Sequence, residues 1–164
     1  MKKRQVKILG LSYSQSQIGS YVLVLSEMKG KVKLPIIIKP QEAQRIALDL
    51  EGIKSTKPLT HDLFLSMTDS FGIDIQEVFI YSLAEGIFYT KIICTNGLAD
   101  VEIESSVGDA VILANIYDCP IFASSDVKFN WRVKKAILND SISSLRLSCA
   151  LEVLRSAKII NASM

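Results

Sequence analysis

The chain alternates between short β-forming runs and helical stripes, and this pattern restricts its fold more than any other feature. Turn residues separate the runs: Ala84-Glu85-Gly86 and Asn96-Gly97 are hairpin signals. The β-forming runs cover 6–11, 20–25, 32–38, 73–83, 87–94, 98–103 and 119–123. Hairpins among these runs, without a regular βαβ series, predict an α+β fold with a mixed or antiparallel sheet.

About three helices should pack on this sheet. Apolar residues spaced by three, one and three predict a helix over 41–50 that Gly52 ends. Thr60 is expected to cap a second helix that reaches about Phe71, and Ser106 a third with a broad apolar face. Residues 140–160 have the spacing of one or two amphipathic helices, so a C-terminal helical tail is expected.

Charge is unevenly distributed along the chain. Residues 1–60 hold 11 Lys/Arg and four Asp/Glu, residues 61–127 hold one Lys and 11 acids, and residues 128–164 hold seven bases and two acids. The change in charge and pattern near residue 126 predicts a domain boundary there. The net charge of +2 excludes nucleic-acid binding by bulk charge alone.

The three cysteines are scattered, with no CxxC pair, which argues against a disulfide framework and favours a reducing compartment. No run of about 18 uncharged apolar residues is present to span a membrane. We therefore expect a cytoplasmic protein with no membrane partner. Its high apolar content favours a homo-oligomer, with a dimer as the preferred state.

His61 is the only histidine, which excludes a site that needs two within one chain. It is followed by Asp62 in the first turn of the expected second helix. An imidazole beside a carboxylate suits a general base, a ligand or a phosphate partner. Aspartate is also favoured in a first turn on dipole grounds alone, so a purely structural role stays open.

Two other carboxylates occupy similar places. Glu42 begins the first helix, and Asp109 is the third residue after Ser106, the spacing of a capping box. Carboxylates that converge with one imidazole form an oxygen-rich site suited to Mg²⁺ or Mn²⁺, ions used for phosphodiester cleavage. If they do not converge, they are ordinary helix caps, and sequence spacing leaves both interpretations open.

A basic run with two aromatics follows the acidic middle of the chain. Lys128, Arg132, Lys134 and Lys135 alternate in part with Phe129 and Trp131. The combination suits phosphate contacts with base stacking, so these four cations are candidate contacts to a nucleic-acid backbone. A solvated face whose aromatics pack inward is the alternative.

Several motifs, in their order along the chain, resemble the bifunctional nuclease domain of bacteria and plants. They are Leu34-Pro35-Ile36-Ile37-Ile38, Glu42-Ala43, Pro58-Leu59-Thr60-His61-Asp62-Leu63, Asp109-Ala110 and Pro120-Ile121-Phe122. The resemblance covers residues 5–127, which leaves 128–164 as a basic linker and amphipathic helical tail. It implies DNase and RNase activity, an α+β fold particular to the family and homo-oligomeric assembly.

Carried over residue by residue, the resemblance implies a catalytic set of His61, Asp62, Asp109 and Glu42. The three carboxylates of that set would be the metal ligands, for Mg²⁺ or Mn²⁺. Lys57 stands where the family often has an arginine, so it keeps a cation for the nucleic-acid backbone but loses the bidentate fork.

The chain also departs from the family. Ser106-Val107-Gly108-Asp109-Ala110 stands where the family usually reads Arg-Pro-Ser-Asp-Ala, so an arginine that could hold a phosphate is missing. Residues 151–159 faintly resemble the UVR helical hairpin of some relatives, without its acidic residues. A simple amphipathic helix is the alternative for this tail.

The leading hypothesis is a metal-dependent nuclease that cleaves the phosphodiester bonds of DNA, RNA or both. The alternative is a non-catalytic, oligomeric binding or regulatory module that keeps the fold without the activity.

Overall fold

The computed structural model describes residues 2–14, 17–29, 32–127 and 152–155 of the 164-residue chain. The strands of this part are β1 (Lys3–Tyr13), β2 (Tyr21–Glu27), β3 (Lys33–Ile38), β4 (Asp74–Ala84), β5 (Ile87–Thr95), β6 (Asp100–Ser105) and β7 (Ile121–Ser124). Its longer helices are α1 (Pro40–Leu50), α2 (Thr60–Ser70) and α3 (Val107–Ile116), and residues 152–155 are also helical. The predicted α+β class is confirmed.

The strands form one mixed sheet in the order β3-β2-β1-β7-β4-β5-β6. The hairpins β4–β5 and β5–β6 are antiparallel, as their turn signals predict, whereas β4 and β7 run parallel. Among the described residues, no helix is long and apolar enough to cross a membrane.

The chain divides into two compact units, and β1 contributes residues to both. The first unit is Met1–Val6 with Ser55–Lys128, and the second is Lys7–Lys54 with Phe129–Met164. The candidate site residues on α2 and α3 belong to the first unit, and Glu42 belongs to the second. The domain boundary predicted after residue 127 coincides with the end of a described range and stays a prediction.

In the first unit, α3 packs on β4 and β5 and is the central helix. Residues 110–114 of α3 are all apolar and at most 5% exposed. Since five consecutive helical residues point all round the axis, this part of α3 is buried on every side, and Val78 and Ile80 of β4 and Ile92 of β5 are buried too. This packing fixes the first turn of α3, which carries Asp109.

In the second unit, β2 is buried at every position from Tyr21 to Ser26, as expected for a strand covered on both faces. Helix α1 contributes Ala43, Ile46 and Ala47 to this core, each at most 1% exposed. Three of the four residues of the predicted apolar stripe are therefore buried, whereas the fourth, Leu50, is 41% exposed and Leu48 is buried instead. Val153 and Leu154, in the helical residues 152–155, are buried in the same unit.

Helices α1 and α2 end at Gly52 and Gly72, as predicted. After α1, the Ile53 N–H donates to the Leu48 carbonyl (2.9 Å) and the Gly52 N–H to the Asp49 carbonyl (3.2 Å). These two bonds define a Schellman motif, which requires a residue with positive φ, and Gly52 has φ 63°. The same two bonds close α2 around Gly72, at φ 65°.

Helix α3 ends without a glycine and with one of the two bonds of this motif. Asp118 takes the left-handed position with φ 52°, and the next N–H, of Cys119, donates to the Ala114 carbonyl at 3.0 Å. A side chain at this position is sterically disfavoured, so the end of α3 is strained in a way that α1 and α2 avoid.

The prediction that Thr60 caps α2 is wrong by one residue. Leu59, extended at φ −83° and ψ 173°, is the N-cap, and Thr60 is the first helical residue. Leucine has no side-chain acceptor for the helix N–H groups. The capping bond instead joins a side chain in the first turn of the helix to the backbone of the N-cap residue. The Asp62 carboxylate accepts the Leu59 N–H at 2.8 Å.

Candidate active site

His61 and Asp62 occupy the second and third positions of α2, in its first turn as predicted. Because successive helical residues point about 100° apart, the two side chains face different directions. Asp62 turns back toward the Leu59 backbone, whereas His61 extends toward α3. The adjacent residues therefore have different roles.

Asp109 lies in the first turn of α3, where Ser106 is the N-cap as predicted. The Ser106 Oγ accepts the Asp109 N–H at 3.1 Å, and the Ser106 hydroxyl donates to Asp109 Oδ2 at 2.7 Å. One serine therefore caps the helix and fixes one carboxylate oxygen. The Ser-x-x-Asp spacing signals this cap in the sequence, but Ser106 is absent from the predicted site.

The two helix starts meet through a hydrogen bond between His61 Nε2 and Asp109 Oδ1, 3.1 Å long. The His61 side chain is 20% exposed and that of Asp109 is 50% exposed, so the pair lies at the surface with the ring the more enclosed. Since a carboxylate only accepts, this bond places a proton on Nε2. A partly enclosed imidazole held by a carboxylate is an arrangement suited to proton transfer.

A second polar contact joins the same two helix regions further along α2. The hydroxyls of Thr68 and Tyr117 are hydrogen-bonded, and Thr68 is buried. The burial of Tyr117 raises the pKa of its phenol, while the Thr68 bond opposes that shift. This contact helps to hold α2 against the end of α3, and no sequence motif indicates it.

Glu42 has the role in α1 that Asp62 has in α2. Its Oε2 accepts the N–H of Lys39, the N-cap residue, at 2.7 Å. Lysine, like leucine, has no side-chain acceptor, so in both helices the third residue supplies the capping bond. The capping interpretation left open by the sequence therefore applies to Glu42 and to Asp62.

The predicted metal set was Glu42, Asp62 and Asp109. Within residues 2–14, 17–29, 32–127 and 152–155, no group of three or more His, Cys, Asp and Glu side chains could hold a metal ion. Two of the predicted ligands bond a backbone N–H of their own helix, and Asp109 bonds Ser106 and His61. The described side chains thus do not fit a three-ligand centre, and a metal ion stays a prediction.

Of the predicted backbone contacts, only Lys57 lies in the described part of the chain. It is exposed, in the segment that leads into α2. Lys128, Arg132, Lys134 and Lys135 lie outside the described residues, as does most of the predicted helical tail with its UVR-like stretch.

Comparison with known proteins places the pair within a recognised domain. A family model described as the bifunctional nuclease domain matches residues 23–135, which include both helices of the pair. Two uncharacterized proteins of Mycobacterium tuberculosis are similar: MT1877 of strain CDC 1551 / Oshkosh and Rv1829 of strain ATCC 25618 / H37Rv. Each is 33% identical over 123 residues, which cover 75% of this chain and 73% of the relative.

Proposed function

The chain belongs to the bifunctional nuclease domain family, and on that premise we propose that it hydrolyses or transesterifies phosphodiester bonds of DNA, RNA or both. The observation that carries the proposal is the hydrogen bond between His61 Nε2 and Asp109 Oδ1. It joins the starts of two helices within the matched region into one polar pair at the surface.

The pair supplies the proton transfer that phosphodiester cleavage needs. In this proposal His61 is the general base, and Asp109 is the positioning residue that fixes its ring and stabilises the imidazolium that forms. General-base catalysis of this kind accelerates a reaction by about 10²–10⁴-fold. Ser106 in turn holds the second oxygen of Asp109.

Cations would hold the substrate phosphates. We assign this role to Lys57 and to the basic run with Lys128, Arg132, Lys134 and Lys135, as the sequence predicts. The middle of the chain is strongly acidic, so binding depends on cations outside it. A metal ion stays a prediction, and no step of the proposal passes through one.

The test is cleavage of labelled single-stranded DNA and RNA by the purified full chain, with Mg²⁺, with Mn²⁺ and with EDTA. His61→Ala and Asp109→Asn should each lower the rate by about 10²-fold or more, since either change removes the oriented base. Asp69→Asn, an exposed carboxylate change in the same helix α2, is the matched control and should retain the rate. Wild-type inactivity under all three conditions would contradict the proposal.

The alternative function is a non-catalytic binding or regulatory module. It is favoured by the capping bonds of Glu42 and Asp62, and by Ser106, which stands where the resemblance implies an arginine. This alternative predicts that the chain binds single-stranded nucleic acid or another ligand without turnover. Stable binding measured by fluorescence anisotropy, together with intact substrate after long incubation, would favour it.

The proposal includes a homo-oligomer, with a dimer favoured. Leu63 and Met67 of α2 and its C-cap residue Phe71 are 64%, 52% and 76% exposed, and an exposed apolar stripe of this kind supports a contact surface. Light scattering on wild type and on Phe71→Ser tests this assembly. The free thiols Cys94 and Cys119 support a reducing, cytoplasmic location.

A further inference from the structure

Strand β6 is one edge of the seven-stranded sheet, and in the described part of the chain its outer side pairs with no other strand. This edge points to a docking site that is independent of the proposed nuclease function. We propose that β6 binds an extended segment of a partner protein in which basic and apolar residues alternate. The segment adds an eighth strand to the sheet, and backbone hydrogen bonds to β6 hold it there.

The two edges of the sheet are protected to different degrees. In β3, at the other end of the strand order, four of the six residues are buried, and Pro35 lacks a backbone N–H. Strand β6 contains no proline, and five of its six residues are exposed. Its register with β5 runs from Asp100 to Ser105 without a bulge that would turn the edge away. A regular, exposed edge of this kind is a template for another strand.

The side chains of β6 divide between an acidic face and an apolar face. Successive residues of a strand point to opposite faces of a sheet, and in β6 acidic and apolar residues alternate. The acidic residues are Asp100, Glu102 and Glu104, and the apolar residues are Val101 and Ile103. The two apolar side chains are 53% and 45% exposed, although the residues opposite them on β5 are buried. Burial on this side of the sheet therefore stops at β5, and apolar residues of an added strand would contact the uncovered pair.

The acidic face already holds a cation from the neighbouring strand on its inner side. Lys91 of β5 donates to Glu102 Oε2 at 2.6 Å, and the Tyr81 hydroxyl donates to Glu104 Oε1 at 2.8 Å. Both bonds come from the β5 side, and the Glu102 side chain remains 62% exposed. A lysine or arginine in a strand on the outer side of β6 would occupy the position that mirrors Lys91.

The charges of β6 decide which kind of partner fits the edge. A second copy of β6 would bring carboxylates next to carboxylates, and like charges opposite each other destabilise a strand pair. A phosphate backbone would also be repelled, because residues 61–127 hold one Lys against 11 acids. A strand with basic residues on one face and apolar residues on the other matches both faces of β6. Six paired residues correspond to a segment about 20 Å long.

The test is binding of a synthetic peptide, acetyl-Lys-Val-Lys-Val-Lys-amide, to the purified full chain. Fluorescence anisotropy measures the affinity, and hydrogen–deuterium exchange with mass spectrometry locates the bound peptide. One control peptide, acetyl-Lys-Lys-Lys-Val-Val-amide, keeps the composition without the alternation. A second control has methylated backbone nitrogens, so it cannot donate hydrogen bonds to β6. We expect the alternating peptide to slow exchange at residues 100–105 and both controls to leave that exchange unchanged.

Glu102→Gln combined with Glu104→Gln tests the acidic face. This variant should bind the alternating peptide about 3- to 10-fold more weakly, the effect of losing two cross-strand ion pairs. Asp69→Asn combined with Asp118→Asn removes the same charge from exposed positions outside β6. It is the matched control and should keep the wild-type affinity. Circular dichroism of each variant separates a loss of binding from a loss of fold.

Val101→Thr combined with Ile103→Thr tests the apolar face. Threonine keeps a β-branched side chain but replaces an apolar group by a hydroxyl, so this variant should also bind the alternating peptide more weakly. It serves as the test if the double glutamine variant does not fold.

Four results would overturn the docking site. They are no binding of the alternating peptide, equal binding of the two lysine peptides, slowed exchange only outside residues 100–105, and unchanged affinity in the variants of β6. Slowed exchange at β6 caused by single-stranded DNA, or by raising the protein concentration without peptide, would assign the edge to another occupant and would also overturn it. None of these measurements depends on cleavage, so the proposed nuclease function stands or falls separately.

Discussion

Ser106, Asp109 and His61 form a linear relay of hydrogen bonds in which each group orients the next. The serine hydroxyl fixes one oxygen of the carboxylate, and the other oxygen fixes the imidazole. Ser106 is also the N-cap of α3, so the helix start and the orientation of His61 depend on one side chain. A change at Ser106 should therefore affect stability and proton transfer together.

Ser106→Ala should lower the free energy of unfolding by about 1 kcal/mol, the usual cost of losing a serine N-cap. In an active preparation it should also lower kcat with little effect on KM, because Ser106 acts on the orientation of His61 and not on the substrate. Urea unfolding and steady-state kinetics measure the two effects. Ser106→Thr keeps a hydroxyl and should restore both; failure to restore kcat would count against the relay.

Cys119 is a half-buried thiol of the first compact unit. Burial, the largest cause, raises its pKa from 9.0 to about 11, and nearby Asp74 adds to the shift. Because the thiolate is the nucleophile, Cys119 is a poor candidate for covalent catalysis near neutral pH. Burial also raises the pKa of Cys94. Among the described cysteines, neither has the signature of a reactive site.

Alkylation of Cys119 by iodoacetamide should be slow at pH 8 and should accelerate only as the pH approaches 11. In urea the thiol should react with its ordinary pKa, which makes the unfolded chain the internal control. Linkage gives the sign for stability: the contribution of a raised pKa is present below pH 9 and is lost as the pH rises toward 11. Peptide mass spectrometry identifies the modified cysteine, and rapid alkylation at pH 7 would contradict the assignment.

Each of the three helices is followed by a residue in the left-handed conformation, but the residue type at that position differs. Gly52 and Gly72 hold the left-handed position after α1 and α2, and Asp118 holds it after α3. An aspartate there has the steric cost of a side chain at positive φ and places a negative charge at the negative end of the helix dipole. A substitution at Asp118 can therefore stabilise the end of α3.

Asp118→Gly should raise the free energy of unfolding by about 1 kcal/mol, the cost of the left-handed conformation for a non-glycine residue. Gly72→Ala is the matched reverse change. A Cβ on Gly72 meets nothing within 4 Å, so any loss comes from its φ of 65° alone, again about 1 kcal/mol. Thermal and urea unfolding of both variants give the two values, and equal signs for the two would contradict the shared left-handed conformation.

The helices and hairpins are predictable from the sequence because their signals are local. Glycine after an apolar stripe and asparagine-glycine between β-forming runs act within a few residues. The one-residue error at Thr60 has the same origin, since Thr60 and Asp62 both have capping side chains and only the backbone conformation of Leu59 decides between them. Local signals therefore predict the position of an element along the chain more accurately than the residue at which the element begins.

The candidate site is predictable only in part, because it depends on packing between elements. The sequence indicates that His61, Asp62, Glu42 and Asp109 all lie at helix starts, and the structure agrees. Which of them meet depends on how α2 lies on α3, across 48 positions of the chain. No spacing rule reports that contact, so the pairing of His61 with Asp109 appears only in three dimensions.

The charge of the complete chain is nearly balanced, but its distribution is not. The middle of the chain carries one lysine against 11 acids, and both flanks are basic. A phosphate backbone should therefore bind outside the acidic middle, through Lys57 and the basic run at 128–135, and binding should weaken as salt displaces those contacts. The total charge of the chain alone does not indicate where a phosphate backbone would bind.

Replacing Lys128, Arg132, Lys134 and Lys135 together by glutamine should weaken binding of single-stranded nucleic acid. If all four contact phosphates, the slope of log K against log salt should fall in magnitude by about 3, at about 0.7 for each lost contact. The matched control replaces Lys7, Lys29, Lys33 and Lys54 and keeps the same total charge. Anisotropy titrations at several salt concentrations measure both, and equal slopes for the two variants would contradict a specific role for the basic run.

The pairing of β1 with β7 also constrains the order in which the chain can fold during synthesis. Lys3–Val6 pair with Ile121–Ser124, near opposite ends of the described domain, and β7 in turn pairs with β4. At about 5–20 residues per second, a ribosome needs about 6 to 24 s to make the chain between these strands. For that time the start of β1 lacks its native neighbour, and one side of β4 lacks it from the synthesis of β4 until β7 emerges. Such edges are where other chains can pair. The nascent protein therefore completes its sheet late, and a chaperone that shields these strands would have its greatest effect before β7 emerges.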